Sequence, residues 1–362
     1  MKLCILSDAS SLHIVKWAKF FVKKGYIVSV ISDIPNNIDS VKVYTFPKYE
    51  YKLHIPIISS VYQIIRKAIA IRKILKLIQP DILHTHFANI YGFLGSLTGF
   101  HPHIATCHGS DLLVHSQRSL VEKYFVKRAL KHADKITLPS SEMLKKATNL
   151  GIDEKKIIVI QYGIDLNIFR YFTKRAPNKR FICTRLLVPR YQTDLIIKAF
   201  STVLGYYPDC RLDIVGSGPA LNNLKQLVGE NSMENHVRFL GKIEHSEIVE
   251  LYNQASFYIT ASPTDGLSIS LLEAFATGTY PIVPDNPSNR SLSESGFNVK
   301  LFVPDSIESF YQAIIEALGT IDKIPELCLQ NRLLVKERFD QQQNLSEIEQ
   351  LYNMLTREFR KN

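Results

Sequence analysis

Two acidic residues in the second half of the chain are spaced so that both can bind one elongated ligand. Asp265 and Gly266 end an apolar run in a turn, and Glu273 follows eight residues after Asp265 in the helical pattern LSISLLEAFATG. This spacing slightly exceeds two helical turns, so one carboxylate lies at the mouth of a site and the other inside it. Carboxylates accept hydrogen bonds from paired hydroxyl groups, which is the chemistry of ribose and hexose binding.

The helix that contains Glu273 begins at the same turn. Its first backbone N–H groups have no partners within the helix, and its N-terminus is the positive end of the helix dipole. Such an end suits the binding of a diphosphate. We therefore expect the backbone at Gly266, Leu267 and Ser268 to contact the phosphates of a ligand.

A second turn, earlier in the same half, is rich in glycine. Gly216 and Gly218 follow the strand pattern RLDIV and precede a helical pattern. Glycine at such a position permits close approach of the backbone to a nucleotide. We therefore expect Gly216 and Gly218 to contact the nucleotide of a ligand. The pair is a weak signal by itself, because many strands end on glycine.

Short β-rich runs alternate with helical patterns along the whole chain. The runs are 2–6, 26–32, 81–86 and 103–108 in the first half, and 180–184, 211–216, 237–241, 255–262 and 279–284 in the second. This alternation predicts parallel sheets covered by helices. A chain of 362 residues supports two domains at roughly 150 residues each.

We therefore predict an α/β protein with two Rossmann-like, doubly wound domains that face a cleft. The first domain spans 1–168 and the second spans 178–342, with an aperiodic linker between them that contains Pro177. The last segment, 343–362, has a strong helical pattern and is expected to pack back on the first domain.

The composition is that of an ordinary globular protein, with 46% apolar and 22% charged residues. The five cysteines are scattered without a CxxC pair, which indicates reduced thiols. The apolar stretch before Asp8 is too short for a signal peptide, and no apolar run approaches ~18 residues. We expect a cytoplasmic protein without a membrane span.

The formal net charge is +10, which is compatible with an anionic surface or with nucleic acid. Residues 52–78 interleave Ile and Leu with cations, among them Arg66, Lys67, Arg72, Lys73 and Lys76. An interfacial amphipathic helix on anionic lipid has this pattern. A helix packed on the core with a solvated basic face has it too, so both interpretations stand.

Residues 262–284, SPTDGLSISLLEAFATGTYPIVP, resemble the Glu-x7-Glu signature of the retaining glycosyltransferases of family 4, which have the GT-B fold. In that family the second acidic residue holds the donor ribose, and the first binds sugar hydroxyls near the reacting carbon. The resemblance assigns these roles to Glu273 and Asp265. Aspartate replaces the family's first glutamate, and its shorter reach bears on the identity of the donor sugar. A helix cap and a solvated glutamate would explain either residue alone.

Three further segments are similar to the same family. In 184–200 the family has an arginine and a lysine that clamp the donor diphosphate, which implies this role for Arg185 and, in place of the lysine, for Arg190. Cations at these positions neutralise the negative charge of the leaving nucleotide. A solvated surface arginine is the alternative for Arg190. RLDIVGSGP resembles the family's GxGP loop, and VRFLGKI resembles its FLG loop, whose backbone around Lys242 faces the base.

The histidines of the first half complete the resemblance. ATCHGSDLL (105–113) is similar to the family's His-Gly-Ser-Asp strand end, which implies that His108 lies beside the donor sugar, where a neutral imidazole can donate and accept. DILHTHFA (81–88) resembles the preceding strand, and its His84 and His86 suggest zinc ligands or packed, hydrogen-bonded side chains. We expect the two to point to opposite faces of the strand and favour packed histidines.

The resemblance implies transfer of a hexose from a UDP- or GDP-linked donor to a glycan or polyprenyl-linked acceptor in polysaccharide biosynthesis. It implies retention of configuration by a front-face reaction, in which the leaving phosphate assists deprotonation of the acceptor. No metal is expected, and the sequence contains no Asp-x-Asp motif. With the basic segment 52–78, a peripheral contact with the inner face of the plasma membrane is expected, and nucleic acid is not.

Three other functions compete with this interpretation. A nicotinamide oxidoreductase also uses doubly wound domains, but its GxGxxG fingerprint requires a third glycine, which is missing here. It also requires an acidic residue about 20 positions further on, at the end of the next strand, whereas that strand ends at Gly241 in this chain. An epimerase of the same architecture would bind the same donor without an acceptor. A nucleic-acid binder fits the charge, but the chain lacks an aromatic and basic recognition motif.

Overall fold

The computed structural model describes residues 1–46, 56–171, 176–244, 247–264 and 267–361, with the side chains of 56–59 and 361 excluded. The chain divides into two compact units. The first comprises Met1–Gln161 and Asn344–Asn362, and the second comprises Tyr162–Gln343. Each unit contains one parallel sheet with helices packed on it. This is the architecture that the alternating pattern predicts.

The first unit is built on a sheet of seven parallel strands. Its strands are β1 (Lys2–Leu6), β2 (Ile27–Ser32), β3 (Lys42–Thr45), β4 (Ile82–His86), β5 (His103–Thr106), β6 (Lys135–Leu138) and β7 (Ile157–Val159). They lie in the order β3-β2-β1-β4-β5-β6-β7. Except for the exposed Lys2, the central strands β1 and β4 are buried along their length, as parallel strands covered on both faces must be. The order reverses between β1 and β4, so their carboxyl ends border a crevice.

Six α-helices are described in the first unit before the change of unit. They are α1 (Leu12–Lys23), α2 (Pro56–Ile78), α3 (Phe93–Thr98), α4 (Ser116–Arg118), α5 (Leu120–His132) and α6 (Ser141–Asn149). Two π-helical turns, Ala88–Gly92 and Asp111–His115, follow β4 and β5. The described part of α2 lies within the segment 52–78.

The second unit has six parallel strands in the order β10-β9-β8-β11-β12-β13. They are β8 (Arg180–Thr184), β9 (Arg211–Val215), β10 (Val237–Gly241), β11 (Phe257–Ile259), β12 (Tyr280–Pro284) and β13 (Lys300–Phe302). Its helices are α7 (Thr193–Tyr206), α8 (Leu221–Glu230), α9 (Ile248–Gln254), α10 (Ile269–Thr277), α11 (Pro287–Glu294), α12 (Ile307–Gly319) and α13 (Ile324–Arg338). The switch in strand order falls between β8 and β11.

The first unit ends at Gln161, before the predicted boundary at 168. Two contacts explain the difference. The Ile164 N–H donates to the Phe339 carbonyl at 2.7 Å, and Phe169 is fully buried in the hydrophobic core of the second unit. The segment after Gln161 therefore packs with the second unit.

The last helix, α14 (Gln341–Lys361), belongs to the first unit from Asn344 onward. Its buried apolar side chains recur at helical spacing and are Leu345, Ile348, Leu351, Tyr352 and Leu355. The Trp17 Nε1–H donates to the Tyr352 hydroxyl at 3.1 Å, and Arg360 pairs with Asp81 at 2.9 Å. The helix thus completes the core of the first unit.

Two further features of the chain concern membrane spans and cysteines. Across the described residues, no helix combines the length and the apolar character needed to cross a bilayer. All five cysteines lie in the described ranges, where each is buried and outside any disulfide bond.

Candidate functional site

Arg185 stands at the switch point of the second sheet, at the end of β8. Its Nε donates to Thr260 Oγ1, after β11, at 3.3 Å, and its terminal nitrogen donates to Ser268 Oγ at 2.7 Å. The carboxyl ends of the two strands that border a switch point form the usual ligand crevice of such a sheet. The structure therefore brings a guanidinium to the place where a ligand of this unit binds.

Ser268 links this cation to the start of α10. It is the N-cap residue of the helix, and its hydroxyl accepts from the Leu271 N–H at 3.4 Å as well as from Arg185. The N-terminus of α10 and the Arg185 side chain thus place positive charge at one point. Leu267, immediately before the cap, is half-buried. Asp265 and Gly266 lie outside the described residues.

Glu273 lies one turn inside α10 and is 6% exposed. Its Oε2 accepts from the Tyr252 hydroxyl at 3.1 Å, and Tyr252 also lies 2.6 Å from Thr184 Oγ1. Because Thr184 precedes Arg185, this network fixes the carboxylate close to the end of β8. Burial, together with the negative charge of Glu273, raises the pKa of Tyr252 well above its usual value, so its phenol remains a donor.

Tyr191 joins the two predicted cations and was missed by sequence reasoning. Its ring centroid lies 4.6 Å from the Arg190 guanidinium and 5.1 Å from that of Arg185. Arg190 itself is exposed and donates to the Tyr191 hydroxyl at 2.6 Å. Cation–π contacts of this kind hold both guanidinium groups over one ring. The only signal in the sequence was an aromatic residue directly after Arg190.

Gly216 and Gly218 allow the loop after β8 to lie against the end of β9. A Cβ on Gly216 would stand 1.9 Å from the Arg185 carbonyl oxygen, and one on Gly218 would stand 2.3 Å from that of Leu187. Neither carbonyl can move easily, because the Arg185 and Leu187 N–H groups are bonded to the same turn. In this structure the glycines first serve to position Arg185, whereas their contact with a nucleotide stays a prediction. Lys242 is exposed after β10.

In the first unit, His108 lies on a loop organised by Asp111. The buried Asp111 carboxylate accepts from four backbone N–H groups, those of Ala88, His108, Gly109 and Leu112, at 2.9 to 3.3 Å. Burial raises the pKa of this carboxyl, while the four donors act in the opposite direction. Asp111 thus joins the ends of β4 and β5, a role that sequence reasoning missed.

The expectation that His84 and His86 point to opposite faces of β4 is wrong. The two residues are two positions apart, so their side chains share a face, and their rings stack with centroids 4.4 Å apart. His84 is bonded through both nitrogens, to Tyr352 at 2.5 Å and to Thr106 at 2.6 Å. Within the described ranges, no group of three or more His, Cys, Asp or Glu side chains is arranged to hold a metal ion.

His86 and His108 form a pair at the carboxyl ends of β4 and β5. His86 Nδ1 lies 2.9 Å from His108 Nε2, and Phe87 stacks on the His108 ring at 4.2 Å. Burial lowers the pKa of His84 and of His108 to about 3 and that of His86 well below its usual value. These imidazoles are therefore neutral near pH 7.

Two family models match the chain, one on each side of the change of unit. Residues 2–140 match the model described as glycosyl transferase 4-like. Residues 167–323 match the model described as glycosyl transferases group 1. The second match contains every predicted site residue of the second half.

Curated relatives and solved structures agree with the family models. The chain is 26% identical over 289 residues to the alpha-monoglucosyldiacylglycerol synthase of Streptococcus pneumoniae, covering 72% of this chain and 64% of that protein. It is 26% identical over 309 residues to a UDP-Gal:alpha-D-GlcNAc-diphosphoundecaprenol alpha-1,3-galactosyltransferase of Escherichia coli, covering 79% of each. For several of its relatives, the pneumococcal synthase included, the match spans less than two thirds of their own length. Anabaena HepE, solved in complex with UDP, superposes with a TM-score of 0.79 at 15% identity, covering 98% of this chain and 100% of HepE.

The glycine contacts lead to a prediction about stability. Gly216→Ala should destabilise the protein by more than about 1 kcal/mol, because the added methyl group collides with the Arg185 carbonyl. The free energy of unfolding measured in denaturant checks this. Gly205→Ala is the matched control, since Gly205 lies in α7 with open space around its Cβ position and the change should stabilise by about 0.5 to 1 kcal/mol. Equal effects of the two changes would contradict the positional role of Gly216.

Proposed function

Because the chain belongs to the GT4-type glycosyltransferases, which have the GT-B fold, we propose that it transfers a hexose-type sugar from a nucleotide-diphosphate donor to a hydroxyl group of a glycan or lipid-linked acceptor. The observation that carries this proposal is the contact of Arg185 with Ser268 at the start of α10. A guanidinium and a helix N-terminus at one point suit the two phosphates of such a donor.

The diphosphate is the part of the donor that these positive groups bind. Arg185 stabilises the charge that develops on the leaving nucleotide, and the N–H groups at the start of α10 supply further hydrogen bonds. Arg190 is a second cation for this role, because its guanidinium shares the Tyr191 ring with Arg185. Lys242 and the glycine turn are proposed to face the base.

The acidic residues bind the sugar part of the donor. An ionised carboxylate has about four acceptor sites on its two oxygens, so Glu273 can accept from ribose hydroxyls while it accepts from Tyr252. The burial of Glu273 supports this role, because a carboxylate removed from water gives stronger hydrogen bonds than a solvated one. By the family pattern, Asp265 binds hydroxyls near the reacting carbon and His108 contacts the same sugar.

We propose that the reaction retains the configuration of the sugar. The bond between the anomeric carbon and the phosphate oxygen breaks while the acceptor hydroxyl attacks from the same face, and the leaving phosphate oxygen takes the hydroxyl proton. No protein base is required. The same groups that bind the diphosphate then stabilise the product.

Donor binding is the first test of this function. A nucleotide sugar at 100 times its dissociation constant stabilises the folded chain by roughly 2.7 kcal/mol, so a thermal melt with a panel of UDP- and GDP-sugars identifies the donor. UDP-linked sugars come first, because HepE is solved with UDP and the Escherichia coli relative is named for UDP-Gal.

A lipid-linked acceptor suggests that α2 has a role in membrane contact. Three large apolar side chains on one face of the helix, Val61, Ile65 and Ile69, are about half exposed, and Arg66, Lys73 and Lys76 are exposed around them. An apolar face with cations at its borders fits anionic headgroups above acyl chains. The names of two relatives, with diacylglycerol and undecaprenol in them, agree with a lipid-linked acceptor. We therefore propose that α2 contacts an anionic membrane.

The site assignment predicts the kinetics of two variants. Glu273→Gln and Arg185→Lys should each lower kcat/KM by about tenfold to 100-fold, since each weakens hydrogen bonds to a charged group. The assay follows the glycosylated acceptor and the free nucleoside diphosphate. Glu230→Gln, a similar change at an exposed position, should leave the rate unchanged. Full activity of Glu273→Gln would rule out its role, and an isomerised sugar nucleotide as sole product would indicate an epimerase.

A metal-independent mechanism predicts no effect of chelators. Arg185 and the end of α10 supply the positive charge that a divalent ion would otherwise provide. Activity measured with an excess of EDTA should equal that without it. A complete loss that Mg²⁺ restores would contradict this proposal.

The membrane proposal predicts the effect of removing apolar side chains from α2. The double variant Ile65→Ser, Ile69→Ser should bind anionic phosphatidylglycerol vesicles at least about tenfold more weakly, because the apolar area available for burial is lost. Co-sedimentation measures the binding. Leu333→Ser on α13, where the side chain is 60% exposed, is the matched control. Equal binding of both variants and the parent chain would exclude α2 as the contact.

A further inference from the structure

A chain of hydrogen bonds in the first unit fixes the protonation of His84. The Trp17 indole can only donate, so the Tyr352 oxygen accepts from it at 3.1 Å. The Tyr352 hydroxyl proton is then directed to His84 Nδ1, 2.5 Å away. His84 therefore carries its own proton on Nε2, which donates to Thr106 at 2.6 Å.

Both nitrogens of His84 are thus engaged, so His84 cannot also form a hydrogen bond with His86, although the two rings stack. The partner of His86 is His108, because His86 Nδ1 lies 2.9 Å from His108 Nε2. The other nitrogen of His86, Nε2, is buried and has no hydrogen-bond partner in the described part of the chain. Only one proton lies between the two neutral rings, so one of them donates and the other accepts.

The buried Nε2 atom decides the direction of that hydrogen bond. If His108 donated, the proton of His86 would be on Nε2, where an N–H group would be buried without an acceptor. If His86 donates, Nε2 has only a lone pair. Orphaned N–H groups are rarer in protein interiors than acceptors with an unused lone pair. His86 therefore donates from Nδ1, and His108 accepts at Nε2.

We propose that His86 is a positioning residue that keeps His108 in the Nδ1–H form, so that His108 presents an N–H donor to an oxygen atom of the donor sugar. This inference rests on the proposed function. Phe87 stacks on the His108 ring, and the Asp111 carboxylate accepts a hydrogen bond from the His108 backbone N–H. The orientation of the ring is thus fixed by packing, and His86 sets which of its nitrogens carries the proton.

The proton positions can be measured without any transfer activity. In protein labelled with ¹⁵N-histidine, two-bond ¹H–¹⁵N correlation spectra distinguish the two neutral forms of each ring. We expect Nδ1–H for both His86 and His108, and Nε2–H for His84, with assignments from single variants. A spectrum that shows His86 protonated on Nε2 would overturn the proposal.

Variants of His86 test the effect on catalysis. The Asn amide can donate from close to the Nδ1 position, whereas Phe keeps the ring shape without a donor. His86→Phe should lower kcat/KM by about tenfold or more, and His86→Asn should recover most of that loss. His236→Phe, at a histidine of the second unit, should have no effect. Far-UV circular dichroism and the melting temperature verify that each variant is folded.

The results distinguish the positioning role of His86 from the proposed transfer of sugar. Equal losses in His86→Phe and His86→Asn would overturn the positioning role, because shape alone would then explain them. An unchanged rate in His86→Phe would do the same. The expected spectrum in a chain that transfers no sugar from any donor would overturn the proposed function and the catalytic role, but would confirm the His86 to His108 hydrogen bond.

Discussion

The close approach of two backbone segments after β8 and β9 is the constraint on which the candidate site depends. The Arg185 N–H donates to the Val215 carbonyl, and the Leu187 N–H donates to that of Ser217. Only glycine at 216 and 218 permits these contacts without a collision. With its backbone fixed, Arg185 has its side chain directed to Thr260 and Ser268. The position of the cation relative to α10 therefore follows from the absence of two methyl groups.

Much of the fold follows from local patterns in the sequence. The alternation of β-rich and helical runs predicts both parallel sheets, because such runs must bury one face of each element. Four short strands, β3, β6, β7 and β13, were not among the predicted runs. They have only three or four residues each, and their strand conformation comes from neighbours in the sheet that no local pattern reveals.

The candidate site was predicted less completely than the fold. The spacing of Glu273 from the start of its helix is local, and so is the position of Arg185 after a strand. The contacts of Tyr191 with two guanidinium groups, and those of Asp111 with four backbone N–H groups, depend on how loops fold in space. The error at His84 and His86 has a simpler origin, since side chains two positions apart on a strand lie on the same face.

The path of the chain makes the first unit discontinuous in sequence. It begins at Met1 and is completed only by α14, after the whole of the second unit. In topological terms the second unit is an insertion between residues 161 and 344. The hydroxyl that sets the proton of His84 belongs to Tyr352, which the ribosome adds more than 260 residues after His84. Until then the nascent first unit has an incomplete core, and its histidines lack the partner that defines their hydrogen bonds.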